Sequence, residues 1–422
     1  MYEPAAWSIA PFVVLLTMIA LGPLLFEHWW LKHYPKVAFG LAAITLTYYF
    51  LGLPHEARHT ARHTGSEYIS FIALIGSLYI VSGGIHIHVK GEATPHVNVA
   101  FLFAGAVIAN VLGTTGASML LIRPWLRVNK YRVTAHHVVF FIFIVSNVGG
   151  CLTPIGDPPL FLGYLKGVPF SWVAEHCWPM WMVGVGFLLT AFYLVDRRNY
   201  LRAPKQIRDR LAEPPDQWRF NGLANLGFLA LILFAAFLKD PPLLRETLMA
   251  LAAIGSWFTT KKQIHQANDF NFHPIREVAI LFIGIFTTMM PALDYLKFHA
   301  ESLPSTVPVF FWGTGLLSSV LDNAPTYLGF LSAAAGPAVD DPAKLSALLR
   351  EPSFVRELVA ISVSSVFFGA CTYIGNGPNF MVKSIAEHQK VHTPDFLGYI
   401  LRFTLPFMLP MLVLIWWLFF RR

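Results

Sequence analysis

The chain has 422 residues, 55% hydrophobic and 13% charged, and its 31 Lys and Arg against 24 Asp and Glu give a net charge of +7. Soluble domains carry about a quarter charged residues, so this balance, with a mean hydropathy of +0.54, excludes an ordinary soluble domain and indicates an integral membrane protein in contact with lipid. The positive charge does not indicate nucleic acid, because the basic residues gather in loops between apolar runs, as membrane topology requires. Cys151, Cys177 and Cys371 have no metal-ligand spacing, so neither a disulfide framework nor a zinc site is expected.

Taken in chain order, residues 8–26 form the first predicted span; a basic region ahead of it is lacking, so it does not read as a cleavable leader. Further spans are expected at 36–53 and 67–89. Residues 97–127 form an apolar run with Gly113-Thr114-Thr115-Gly116 at its centre. Two full crossings need about 40 residues plus a turn, so this run suits a re-entrant hairpin of two half-helices. Residues 137–166 are long enough to cross but carry Gly149-Gly150, Pro154, Gly156 and Pro158-Pro159 in mid-run, which predicts a broken helix. A span at 172–195 closes the first half. After a proline-containing basic linker, spans are expected at 221–239, 243–259 and 277–296. A second hairpin follows at 306–335, a second broken helix at 354–388 and a last span at 396–420.

The halves share more than this order. Gly150-x-x-Thr153-x-Ile155-Gly156-Asp157-x-Pro159-x-Phe161 returns 219 positions later as Gly369-x-x-Thr372-x-Ile374-Gly375-Asn376-x-Pro378-x-Phe380, with one Asp/Asn exchange. Val111-Leu112 aligns with Val320-Leu321 at an offset of 209, and Ile75-Gly76 with Ile283-Gly284 at 208. Residues 1–200 and 221–422 therefore read as two copies of one unit, joined by a cytoplasmic linker at 201–220. An odd number of crossings per copy inverts the second relative to the first. The expected fold is an all-α polytopic membrane protein of two inverted-topology repeats, with about 10 transmembrane helices, two re-entrant hairpins and two broken helices. Lys and Arg favour the loops that include Lys32, Lys130, Arg132, Lys261 and Arg276, which puts those loops in the cytoplasm and both termini outside.

Inverted repeats with breakers at matching places predict a transporter with its site between the halves. The side chains at the breaks are Thr114, Thr115, Ser146, Asn147, Thr153, Asp157, Asp322, Asn323, Thr372, Asn376 and Asn379. All bear hard oxygens, suited to Na⁺ or protons rather than soft metals. Asp157 and Asp322 carry most weight, since an ionisable group at mid-membrane costs about 2.5 to 3.5 kcal/mol; the competing reading is that each merely caps a helix. His55, His59 and His63 share a helical face beside Arg58 and Arg62 and read as an interfacial surface, as does His86-x-His88. Asp294 and Glu175 fall near span ends.

The stretch Ser146-Asn147-x-Gly149-Gly150-x-x-Thr153-Pro154-Ile155-Gly156-Asp157 resembles the signature of NhaD-type sodium/proton antiporters of the ArsB/NhaD ion-transporter superfamily, and Leu321-Asp322-Asn323-x-Pro325 resembles that family's second hairpin. The resemblance implies an elevator-type exchanger of Na⁺ or Li⁺ for H⁺ in a bacterial cytoplasmic membrane. It would have a mobile domain of hairpins and broken helices, a scaffold that forms a homodimer, and no cofactor beyond the transported Na⁺ and H⁺. Relatives are also labelled citrate transporters, so a cation-coupled citrate or organic-anion symporter is the alternative. The hairpin tips here lack the Ser-Asn-Thr of dicarboxylate carriers, and Asp322 at one tip would repel a polyanion. No His-Glu-x-x-His or Gly-x-Ser-x-Gly run is present, so an enzyme is not expected.

Overall fold

In the computed structural model, which describes residues 3–55, 57–88, 94–202, 219–238, 241, 243–299 and 306–421, the apolar runs become helices, because a helix satisfies its own backbone where no water can. The first half contains α1 (Ala10–Leu25), α2 (Glu27–Thr47), α3 (Ala57–Gly83), α4 (Pro95–Val128), α5 (Ala135–Ile144), α6 (Pro158–Lys166) and α7 (Trp172–Arg202). The second contains α8 (Asn225–Ala236), α9 (Leu244–Thr259), α10 (Lys262–Ala267), α11 (His273–Phe298), α12 (Thr314–Val320), α13 (Asn323–Ala335), α14 (Pro342–Leu348), α15 (Pro352–Phe368), α16 (Gly377–His388) and α17 (Phe396–Phe420). Among the described residues seven helices are long and apolar enough to cross a membrane. The chain is an all-α polytopic membrane protein, apart from a short ribbon in which β1 (His86–His88) pairs antiparallel with β2 (Arg219–Asn221).

Several boundaries differ from the sequence expectation. The third span begins ten residues earlier than expected, at Ala57, and stops at Gly83, ahead of a Gly84 turn. His86 and His88, expected at the end of that span, belong to the ribbon instead. The second span starts at Glu27 and runs through Pro35. Most of the expected linker at 201–220 lies outside the described residues, as do Lys90 and Lys239.

α4 is not one rod. Gly113 sits at φ 73°, ψ 156°, a conformation that costs a residue with a Cβ dearly and glycine little. The chain folds back there: Asn98 Nδ2 donates to Asn129 Oδ1 at 2.8 Å, and the Phe101 and Trp125 rings lie 5.3 Å apart. A straight helix would separate Asn98 from Asn129 by about 46 Å. α12 and α13 fold back likewise at Leu321–Asp322, with the Phe310 and Phe330 rings 6.4 Å apart. Between α5 and α6, and between α15 and α16, the helix is interrupted by short 3-10 turns at Val148–Gly150 and Gly369–Cys371.

Two sets of helices result. α1, α2, α3, α8, α9 and α11 pack mainly on one another, while the hairpins, α5, α6, α7, α15, α16 and α17 form the other set. The sets meet where α3 touches α4 and α6, and where α11 touches α13. α5 is apolar all round from Val138 to Ile144, as suits a helix whose residues His136–Ile144 are all buried.

Candidate ion site

Both hairpin tips and both helix breaks converge on Asp157. Its residue is 1% exposed, and it stands at the N-cap of α6 with extended backbone. Asp157 Oδ1 accepts hydrogen bonds from Thr114 Oγ1 at 2.7 Å and Asn376 Nδ2 at 3.1 Å. Oδ2 accepts from Asn323 Nδ2 at 2.5 Å. Each donor comes from a different element, Thr114 and Asn376 lying 262 residues apart in the chain, so the carboxylate ties the two halves together. The side chain makes no capping bond to its own helix. Among the described residues no Lys, Arg or His nitrogen pairs with it.

The amides continue behind it. Asn376 Nδ2 also reaches Asn147 Oδ1 at 3.1 Å and the Ser146 carbonyl at 3.3 Å. Asn147 Nδ2 donates to Asn379 Oδ1 at 2.7 Å and to the Ile142 carbonyl at 2.9 Å. Asn379 Nδ2 in turn holds the carbonyls of Gly369 and Thr372 at 2.8 and 2.9 Å. Ser146 Oγ lies 2.7 Å from Ser118 Oγ. Asn323 Oδ1 is buried and has no hydrogen-bond partner among the described residues. A buried oxygen left unbonded costs about 1 to 3 kcal/mol, which a bound cation would relieve. Thr115 is half-buried and borders, with Leu78, Ile155 and Asp157, a cavity of about 20 Å³, room for about one water.

Not every expected residue faces the carboxylate. Thr153 Oγ1 donates to the Asn110 carbonyl at 2.6 Å and accepts from Gly156 N at 3.0 Å. Thr372 Oγ1 donates to the Ser319 carbonyl at 2.6 Å and accepts from Gly375 N at 3.1 Å. These paired threonines stitch each broken helix to the adjacent hairpin arm by the same two bonds. The two loops share their tight crossing as well: a Cβ on Gly156 would overlap the Gly150 carbonyl, and one on Gly375 would come within 2.6 Å of the Gly369 carbonyl. Asp322 caps α13, accepting from Ala324 N at 3.0 Å, and is only half-buried. Its role thus differs from that of Asp157. Asp294 receives Tyr49 Oη at 2.7 Å and Lys297 Nζ at 3.2 Å, and Glu175 is exposed.

A second buried polar cluster gives no clear sign of itself in the sequence. Asp196, wholly buried on α7, pairs with Arg132 through both guanidinium Nη atoms and accepts from Asn98 Nδ2 at 2.9 Å. His136 Nε2 and His137 Nε2 lie 3.3 and 3.2 Å from its Oδ1. The spacing of His136, His137 and Asp196 would fit a metal ion, but Arg132 already occupies the carboxylate with a fixed positive charge. The arrangement is a structural knot that fastens the base of the first hairpin and the start of α5 to α7.

A polytopic membrane protein with one unneutralised carboxylate where two hairpins and two broken helices meet belongs to the class of membrane transporters. The profile of a family described as "Putative citrate transport" matches residues 2–420, and the chain belongs to that family. It is also similar to the 46 kDa membrane protein of Mycobacterium leprae (strain TN), with 23% identity over 381 residues, covering 82% of this chain and 86% of the relative.

Proposed function

We propose that the chain is a secondary transporter that exchanges Na⁺, or Li⁺, for H⁺ across the cytoplasmic membrane by alternating access. The observation that carries this reading is Asp157: buried, bound by one hydroxyl and two amides, and without a cationic side chain. An uncompensated carboxylate inside a membrane is costly, and the donors around it are neutral. A proton or a small cation is then the natural neutralising partner. Asn323 Oδ1 and the amide oxygens behind it offer the hard ligands that Na⁺ prefers. One carboxylate that holds either ion, but not both, couples the two fluxes.

The architecture in this reading is two inverted repeats. The duplicated threonine stitches and glycine crossings support it. The hairpins, broken helices and the attached α7 and α17 would move as one body against a scaffold of α1, α2, α3, α8, α9 and α11. Asp322, beside Asn323 at the second tip, contributes a second negative charge near the path of the ion.

Cation-coupled citrate symport is the second reading, favoured by the family description. There the same carboxylate would serve only the coupling ion. Vesicles containing the protein, energised to a pH gradient and challenged with NaCl, LiCl, KCl or citrate, separate the two. Collapse of the gradient by NaCl alone supports exchange; a response that needs citrate together with Na⁺ sinks it and leaves symport.

A further inference from the structure

The two sets of helices meet through apolar contacts at two places along their boundary. At the first tip Gly113 faces Leu78 of α3, and farther on Gly329 of α13 faces Leu296 of α11. Such contacts are non-directional, so a shift along them exchanges one apolar neighbour for another. One face departs from this. Lys166, the last residue of α6, pairs with Glu67 of α3 at 2.9 Å. Asp340, in the turn that follows α13, pairs with Lys297 of α11 at 2.5 Å. The two crossing pairs are linked, since Lys166 also lies 3.3 Å from Asp340 and Lys297 lies 3.2 Å from Asp294. Charges therefore alternate along Glu67, Lys166, Asp340, Lys297 and Asp294, passing from scaffold to hairpin side and back.

Burial makes this chain directional. The side chains of Glu67, Lys166 and Lys297 are 8, 6 and 9% exposed, while Asp340 is 46% exposed. Inner members lose water and depend on their partners; the outer one keeps a route back to solvent. The opposite face offers far less: Arg123 of the first hairpin meets Asp269 at 3.5 Å, with Asp269 79% exposed, a pair of the kind that contributes little. The Arg132–Asp196 knot lies wholly within one set and opposes no relative movement.

We propose that Glu67–Lys166 and Asp340–Lys297 form an electrostatic clasp that fastens the mobile body to the scaffold at one membrane face and sets the population of the state seen here. The proposal rests on the two-body reading given under Proposed function. Moving the bodies apart must break both crossing pairs, and the groups regain water as they separate. Neutralising one member leaves its partner buried and unpaired, a penalty confined to the fastened state, so the equilibrium moves to the other state.

The test is a distance measured by pulsed electron paramagnetic resonance between nitroxides at Leu51→Cys and Lys344→Cys, with Cys151, Cys177 and Cys371 replaced. Leu51 is 82% exposed at the end of the α2 side, and the Lys344 side chain is 70% exposed on α14, which packs on the end of α6 through Gly167. In the parent protein, alternating Na⁺ at high pH with Na⁺-free low pH should redistribute two distances. Glu67→Gln, Lys166→Met and Lys297→Met should each raise the ratio of the second distance to the first by about tenfold or more, and Lys166→Arg should keep the parent ratio. A parent that redistributes while every neutralised variant follows it unchanged overturns the clasp and leaves the two-body reading standing. A single fixed distance in all conditions and variants overturns both. If a variant at a buried position does not fold, Asp340→Asn, at the wettest member, reads the same equilibrium.

Discussion

Asp157 and Asp322 look alike in the sequence, each an aspartate at a helix break, yet they do different work. Asp157 accepts from Thr114, Asn323 and Asn376 and caps nothing; Asp322 accepts from the backbone of its own helix. Asp157→Asn is therefore expected to reduce Na⁺-driven proton movement by about 100-fold or more, since it removes the exchangeable charge while keeping the shape. Asp322→Asn should leave stability near the parent value, because Asn caps about as well as Asp, whereas Asp322→Ala should cost about 1 kcal/mol. Initial rates in vesicles and thermal melts in detergent check these. Full transport by Asp157→Asn would return that residue to a structural role. The pH dependence follows from competition. Protonation of the carboxylate excludes Na⁺, so at fixed low Na⁺ the rate falls on acidification, and high Na⁺ restores part of it. The Na⁺ concentration for half-maximal rate should decrease as pH rises and then level off; a flat value from about pH 6 to 9 would contradict a shared site.

The elements owe their form to a few glycines and buried polar ties. The loop before α6 closes because Gly150 and Gly156 cross backbone to backbone, and a methyl group on Gly156 has nowhere to go. Gly156→Ala should abolish function and lower the melting temperature. Gly377→Ala, where the added carbon meets nothing within 4 Å beyond its chain neighbours and its own helix backbone, should be near neutral. Paired expression, melting and transport measurements on these two variants distinguish local fit from a general intolerance of the breaks. The knot around Asp196 governs how α7 joins the first hairpin. Asp196→Asn leaves Arg132 buried without its counter-charge, and a loss of about 3 to 5 kcal/mol is expected, read as a lower melting temperature. Asp157→Asn should lose transport with much less thermal loss.

At the scale of the whole molecule, α5 runs from the Lys130–Thr134 loop into the set of helices that holds the hairpins, and α6 carries the chain on to Lys166, beside Pro342 and Leu345. A broken helix that crosses the membrane puts Lys130 and Lys344 on opposite sides. Single cysteines at these positions, in a background lacking the native three, should react with an impermeant maleimide from opposite faces, Lys130→Cys from the cytoplasm and Lys344→Cys from outside. Reaction of both from one face would remove the inverted arrangement and the placement of the site with it. Arg208, a third natural probe, in the linker expected to be cytoplasmic, lies outside the described residues.

The membrane class follows from composition alone, since a chain this apolar has no aqueous fold open to it. The positions of the breaks follow from glycine and proline within apolar runs, and Asp157 from its place in the segment repeated at Gly369–Phe380. Local chemistry writes these features, so they are legible one segment at a time. The sequence marks the polar residues around Asp157 as a group but not which of them touch it: Thr153 and Thr372 face carbonyls of the hairpin arms, while Asn376 faces the carboxylate. The knot at Asp196 and the ion-pair chain from Glu67 to Asp294 join residues scattered along the sequence, each of which reads singly as a span end or a loop charge. Only tertiary structure decides such pairings, because the favourable term is the meeting of two groups out of water. A sequence records each group and not the distance between them.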